Sequence, residues 1–116
     1  MYDICVMGVY VDDIKKAEEF YCNQLGYEIE ERYGATIIEL KTDGVPIVLD
    51  EIQGAYPEKP CTAMGIRTEN LEAEIERLKS NGVDLIFDTP QPFPVGRFTA
   101  FRDHLGNLIE LLEFNE

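Results

Sequence analysis

One order of predicted elements occurs twice along the chain. An apolar run over Ile4–Val11 is typical of a buried strand, and a helix follows that begins after Asp13 and ends at Gly26. Three more strands complete a β-α-β-β-β unit, and the same order returns roughly 57 to 62 residues later. Because each unit has only one helix to cover one face of its strands, the sequence predicts an α+β fold.

Turn-forming residues set the predicted boundaries. Residues 53–60 contain two prolines and a glycine, so we interpret them as a linker. Module one then occupies residues 1–52 and module two residues 61–116. A chain of 116 residues is the length of one ordinary domain, so we expect both modules to belong to a single domain.

Two segments follow the second helix in module two, one apolar and one rich in proline. We predict a strand over Val83–Phe87, which is apolar and follows the end of the second helix. We expect irregular structure over Thr89–Val95, because this segment contains three prolines. The last two strands are predicted on either side of the turn formed by residues 103–106.

The charge of the chain restricts its partners. Acidic residues outnumber basic residues by 23 to 10, which gives a formal net charge of −13, and no Lys/Arg cluster is present. Such a chain repels the phosphates of nucleic acids and the anionic surface of a membrane. We therefore predict neither nucleic acid nor membrane as a partner, which leaves neutral or cationic molecules.

The cysteines and the N-terminal segment bear on the compartment. Cys5, Cys22 and Cys61 are odd in number and lack a paired spacing, which argues against a secreted disulfide framework. Met1–Tyr10 has neither a basic start nor a long apolar run, and no segment approaches the roughly 20 apolar residues that span a bilayer. We expect a cytoplasmic protein.

Two stretches resemble the opening and closing motifs of one superfamily. The opening stretch is Val11-Asp12-Asp13-Ile14 with Ala17, Phe20-Tyr21 and Leu25-Gly26, and the closing stretch is Phe101-Arg102-Asp103-His104-Leu105-Gly106-Asn107-Leu108-Ile109-Glu110-Leu111. With them the chain resembles, over nearly its whole length, the glyoxalase/bleomycin-resistance/extradiol-dioxygenase superfamily, also called vicinal oxygen chelate proteins. The resemblance implies two βαβββ modules whose curled mixed sheets surround a cleft, with the helices on the outer face. It also implies a homodimer.

The resemblance further implies where a divalent metal would bind. In metal-using members the first and last strands of each module supply the ligands. The matching positions here are Val6 and Val48 in module one, and Ala63 and Glu110 in module two. Valine and alanine have no donor atom, whereas a divalent ion needs about three or four. We therefore predict no metal and no other cofactor, and we lean against an enzyme.

Strand alternation then predicts a mainly apolar cleft that binds a small organic ligand. Glu110 is its main polar group, and it could anchor a cationic ligand, act as a general base, or remain as a relic bonded to Arg67, Arg97 or water. Tyr56, Phe93 and Phe98 could form aromatic walls or belong to the core. The predicted ligand-binding residues are Ile4, Val6, Tyr10, Val48, Ala63, Arg97, Phe101 and Glu110.

Three functions remain open on the sequence alone. The first is metal-independent sequestration of an organic ligand, cationic or aromatic, as in the bleomycin-resistance class. The tryptophan expected in the ligand groove of that class is absent, since the chain has no Trp. The second is a glyoxalase-related lyase or isomerase that uses Glu110 as its base. The third is a non-catalytic dimeric interaction module.

Overall fold

The computed structural model describes all 116 residues and divides into two compact units. The first unit is Val6–Ala63, and the second combines Met1–Cys5 with Met64–Glu116. Each unit contains a helix and strands in the order that the repeat predicts, so the α+β class is confirmed. Residues 53–60, which the sequence suggests as a linker, lie within the first unit.

The sheet of the first unit is mixed. Its strands follow the order β2-β3-β4-β1, in which β2 and β4 are antiparallel to β3, and β1 is parallel to β4. The parallel pair is possible because the helix crosses between β1 and the hairpin strands. The strands are β1 (Ile4–Val11), β2 (Ile29–Tyr33), β3 (Ile37–Leu40) and β4 (Ile47–Glu51).

The helix of the first unit changes its winding halfway along. It begins as α1 (Ile14–Glu18) and continues as a π-helix over Glu19–Gln24. The Asp13 side chain caps the start by accepting hydrogen bonds from the N–H groups of the second and third residues after it. The positive φ of 93° at Gly26 ends the helical turn. No helix in the chain combines the length and the apolar character that a membrane crossing requires.

Helix α1 covers one face of its sheet. Ile14 and Ala17 pack against Ile38, Leu40 and Leu49, and all five are buried. Val9 and Val11 of β1 and Ile47 of β4 join this cluster. Because side chains alternate along a strand, the even-numbered positions of β1 and β4 point to the opposite face of the sheet.

The second unit repeats this arrangement. Its strands follow the order β5-β8-β7-β6, and β7 is antiparallel to both β8 and β6. The helix lies in the same place along the unit, between β5 and the remaining strands. The elements are β5 (Cys61–Arg67), α2 (Leu71–Ser80), β6 (Gln91–Phe93), β7 (Gly96–Arg102) and β8 (Leu108–Phe114).

The strand predicted over Val83–Phe87 is wrong. That segment forms only an isolated bridge from Leu85 to Phe101, and the short strand β6 pairs with β7 instead. The expectation of irregular structure around β6 is therefore wrong for Gln91–Phe93. Pro92 is tolerated in β6 because an edge strand needs hydrogen bonds on one side only.

Helix α2 covers one face of the second sheet. Leu71, Ile75 and Leu78 form a buried cluster with Ile66 and Leu111. The apolar side chains of Phe101 and Ile109 pack against this cluster from β7 and β8, and those of Val83 and Leu85 from the segment after the helix. The second core thus draws on the odd-numbered positions of β7 and β8.

A glutamate from the last strand of each unit binds the first N–H of that unit's helix. Glu51 Oε2 accepts a hydrogen bond from the N–H of Ile14 at 2.9 Å, and Glu113 Oε2 accepts one from Leu71 at 2.9 Å. These carboxylates satisfy orphan N–H groups at the positive end of the helix dipole. Glu51 and Glu113 lie three residues after Val48 and Glu110, respectively, which supports treating the latter two as equivalent positions.

We expect the two capping glutamates to contribute unequally to stability. Glu51→Ala should lower the free energy of unfolding by about 1 kcal/mol, the usual loss of a helix-capping acceptor. Glu113→Ala should cost more, because Arg97 also donates to this carboxylate. Urea denaturation measures both, with the exposed Glu76→Ala as control. Identical denaturation midpoints for Glu113→Ala and Glu76→Ala would contradict the capping role.

The cost of Glu113→Ala should depend on pH. Arg97, and then the N–H of Leu71, lower the pKa of Glu113 from its ordinary value of 4.5. The stabilisation is therefore complete above that ordinary value and is lost as the pH falls through the lowered pKa of the folded state. Denaturation curves in acid should accordingly show a shrinking difference between the wild-type protein and the variant.

Candidate functional site

The face of the first sheet opposite α1 carries tyrosines and carboxylates in two rows. One row runs across all four strands, because Tyr10 pairs with Asp50, Asp50 with Ile37, and Ile37 with Tyr33. Partners of this kind place their side chains on the same face of a sheet. This row therefore holds two tyrosines, one carboxylate and one aliphatic side chain.

The neighbouring row contains two further carboxylates. Gly8 pairs with Val48, Val48 with Glu39, and Glu39 with Glu31. Tyr33 lies beside this row and donates a hydrogen bond to Glu39 Oε1 at 3.3 Å.

A third tyrosine extends this surface beyond the strands. The ring of Tyr56 packs edge-to-face against Tyr10, with ring centroids 5.8 Å apart. We call the set the tyrosine–carboxylate face, and it comprises Tyr10, Tyr33, Tyr56, Glu31, Glu39 and Asp50. No lysine or arginine lies in either row, since Arg32 pairs with Ile38 on the α1 side and binds Glu18 at 2.9 Å.

The electrostatics of this face are negative. Burial raises the pKa of Tyr33, and the carboxylates of Glu39 and Glu31 raise it further. A phenol resists ionisation where negative charge surrounds it. A positively charged group would be stabilised at the same place for the same reason.

Predicted ligand-binding residues of module one lie partly on this surface. Tyr10 belongs to the tyrosine–carboxylate face, and Val48 lies in its second row. Val6 precedes Gly8 by two positions on β1 and so shares that face. Ala63 is 1% exposed on β5, and Ile4, which belongs to the second unit, is 49% exposed.

Glu110 lies on the face of the second sheet opposite α2. Its side chain is buried, with Ala100 directly across from it on β7. Leu108 and Leu112, its neighbours on the same face of β8, are also buried. Glu110 thus shares this face of the sheet with Ala100, Leu108 and Leu112.

Arg97 and Phe101 lie on the other face of the second sheet. Arg97 forms ion pairs with Glu113 and Glu72, which tie β7 and β8 to the start of α2. Phe101 packs into the core beneath α2. The structure therefore does not bring either side chain to the face that carries Glu110, because their odd positions on β7 alternate with Ala100.

The phenylalanines proposed as aromatic walls contact one another. Phe98 packs edge-to-face against Phe87 and Phe93, with centroids 5.6 and 6.1 Å apart, and Phe93 packs against Phe114 at 5.8 Å. The guanidinium of Arg67 lies over the Phe114 ring at 5.5 Å. These rings form a continuous cluster along β6, β7 and β8.

The donor set does not fit a metal centre. Three of the four positions that match the superfamily ligands carry Val6, Val48 and Ala63, whose side chains have no donor atom. No group of three or more His, Cys, Asp or Glu side chains in the chain is arranged to hold a metal ion.

Sequence reasoning missed Tyr33 and Glu39 as candidate site residues. The available signal was the alternation in β3, where Ile38 and Leu40 are buried against the helix and Glu39 points away. Tyr33 could be placed beside Glu39 only once the hairpin register was known, because a shift of one residue moves every side chain to the other face.

Comparison with known proteins identifies the family. The family model described as Glyoxalase/Bleomycin resistance protein/Dioxygenase superfamily matches residues 4–111. The chain belongs to this superfamily, as its opening and closing motifs indicate.

Similar proteins cover nearly the whole chain. Two relatives from Bacillus subtilis (strain 168) are the uncharacterized proteins YetH, 25% identical over 95% of this chain and 97% of its own length, and YurT, 28% identical over 95% and 98%. A hypothetical protein BH1468 from Bacillus halodurans C-125 shares the fold with a TM-score of 0.78 at 22% identity, covering 99% of this chain and 96% of its own. Methylmalonyl-CoA epimerase from Mycobacterium tuberculosis has a TM-score of 0.71 at 26% identity, covering 97% and 88%.

We expect Glu39→Gln to lower the pKa of Tyr33 towards its ordinary value of 10.0, because a nearby negative charge is removed. A titration of the ring carbon signals of the tyrosines by NMR measures this shift. Glu76→Gln, which removes an equal charge from the exposed side of α2, should leave Tyr33 unchanged. Equal shifts in both variants would mean that net charge, rather than local contact, governs this tyrosine.

Proposed function

We propose that this protein is a metal-independent small-molecule-binding member of its superfamily that sequesters an organic cation. The observation that carries the proposal is the tyrosine–carboxylate face, which places three aromatic rings and three carboxylates on one side of the first sheet. Superfamily membership supports a small molecule as the ligand.

The physical chemistry of this face favours a quaternary or bulky ammonium group. Tyrosine rings attract cations through the negative charge of their faces, with a contribution of about 0.5–2 kcal/mol per contact. Carboxylates such as Glu39 add attraction without requiring the ligand to donate a hydrogen bond. The formal net charge of −13 raises the local concentration of any cation near the chain.

Choline and its neutral isostere 3,3-dimethylbutanol test the role of charge. We expect choline to raise the melting temperature in a concentration-dependent way, and the isostere to leave it unchanged. Glu39→Gln should weaken choline binding by about five- to tenfold, which corresponds to roughly 1 kcal/mol. Calorimetric titration measures the affinity, and Glu76→Gln serves as the charge-matched control.

The proposal fails if both compounds stabilise the protein equally, since shape alone would then explain binding. It also fails if Glu76→Gln weakens choline binding as much as Glu39→Gln does. Larger aromatic ammonium compounds extend the series, and Tyr33→Phe separates the contribution of the ring from that of the hydroxyl.

A second candidate function is enzymatic proton transfer, and Glu110 is the observation that favours it. A buried carboxylate with aliphatic neighbours is the kind of group that takes a proton from a carbon next to a carbonyl. The similarity to an epimerase at 26% identity points to the same class of reaction. In such a step the carboxylate takes a proton from the carbon and becomes a carboxylic acid. When the carboxylic acid returns the proton to the carbon, the carboxylate is regenerated.

The enzymatic candidate predicts deuterium incorporation into methylmalonyl-CoA in heavy water. Glu110→Gln should then slow incorporation by about a hundredfold or more, because glutamine cannot accept the proton. Elemental analysis of the same sample shows whether metal accompanies the activity. No incorporation with the wild-type protein, or an undiminished rate in Glu110→Gln, rejects this candidate.

A further inference from the structure

A cavity of about 500 Å³ lies in the second unit, on the side of α2 near the end of β5. Its lining includes Tyr2, Arg67, Glu69, Glu74 and Arg77. None of these residues belongs to the tyrosine–carboxylate face. The cavity is therefore lined by residues outside that face.

One wall of the cavity is a closed network of hydrogen bonds. Tyr2 donates to Glu74 Oε2 at 2.6 Å, and Arg77 Nη2 donates to the Tyr2 hydroxyl at 2.6 Å. Arg77 Nε also donates to Glu74 Oε2 at 2.9 Å, and its guanidinium lies 5.9 Å from the centre of the Tyr2 ring. These three side chains hold one another in place and present the Tyr2 ring as a fixed surface.

The other wall carries a looser pair of charges. Arg67 Nε is 3.4 Å from Glu69 Oε1, and these side chains are 54% and 88% exposed. An exposed ion pair of this kind contributes little, because water solvates both groups well. The guanidinium of Arg67 also lies over the Phe114 ring, 5.5 Å from its centroid. Arg67 and Glu69 can therefore give up their contact with each other and bind a ligand instead, at a small cost in free energy.

We propose that this cavity binds a small zwitterion of the amino-acid type, with its carboxylate on Arg67 and its ammonium on Glu69. A guanidinium forms strong, paired hydrogen bonds to a carboxylate, and a carboxylate binds an ammonium group in the same way. The exchange replaces one loose ion pair by two charge-assisted contacts. An apolar ligand side chain would then lie against the ring of Tyr2.

The charge of the whole chain selects a zwitterion over an anion. Arg67 and Arg77 balance Glu69 and Glu74 in the lining, which also includes Met1, so the side chains alone sum to zero formal charge. An anionic ligand would be repelled by the chain's net charge of −13, whereas a zwitterion has no net charge to repel. The balanced lining and the acidic surface thus lead to the same class of ligand.

Three related probes test this inference: L-phenylalanine, its amide and its N-acetyl derivative. We expect L-phenylalanine to shift the backbone amide signals of residues 67–77 in a saturable way at millimolar concentration. The amide and the N-acetyl compound each lack one charge, so each should bind about three- to fivefold more weakly, a factor that corresponds to roughly 0.6–1 kcal/mol for an exposed ion pair.

Variants on the loose wall provide the second arm. Arg67→Gln and Glu69→Gln should each weaken L-phenylalanine binding by about three- to fivefold, while Arg67→Lys should retain part of it. Arg32→Gln removes a comparable exposed ion pair from the first unit and should have no effect. Melting temperatures show whether each variant is folded. The comparison of the three probes on the wild-type protein tests the inference even if a variant does not fold.

Equal binding of the three probes, or no shifts in residues 67–77 with any of them, overturns the inference. Loss of binding in Arg32→Gln as large as in Arg67→Gln overturns it as well. Glu39→Gln separates this site from the proposed cation site, because it should weaken choline binding without changing that of L-phenylalanine. The proposed cation site and the proposed zwitterion site can thus be rejected independently of each other.

Discussion

The attachment of each helix to the last strand of its unit is the constraint on which the rest of the structure depends. Glu51 and Glu113 bind the first N–H of α1 and α2, so the end of the strand is fixed against the start of the helix. Because side chains alternate along a strand, each capping glutamate lies on the same face of its strand as the residue that enters the core. Leu49 and Leu111 enter the two cores, and Val48 and Glu110 are left on the opposite faces.

The same alternation separates what the sequence can predict from what it cannot. β1 and α2 follow directly from their apolar patterns and caps, and the structure places them almost where the sequence does. The edge of the second sheet was harder, because Val83–Phe87 is apolar enough for a strand yet forms only a bridge. Val83 and Leu85 of this segment pack against the α2 core instead. The strand that pairs with β7 at the edge is β6, although it contains Pro92.

The candidate site shows a second limit of sequence reasoning. Arg97 and Phe101 were grouped with Glu110, but the pairing of Ala100 with Glu110 puts both on the helix side of β7. The sequence shows which side chains of one strand share a face, because they alternate. Which side chains of two neighbouring strands share a face depends on the register of the hairpin. Glu39 and Tyr33 were missed for the same reason, since only pairing across β2 and β3 brings them together.

The acidic excess acquires a more specific meaning once the carboxylates are placed. Many of the 23 acids have defined structural roles: Glu51 and Glu113 cap helices, Glu18 binds Arg32, and Glu74 closes the network around Tyr2. The tyrosine–carboxylate face differs, because no lysine or arginine shares its rows. The net charge is therefore less informative than its distribution, because carboxylates with structural roles and carboxylates gathered on one sheet face contribute to it equally.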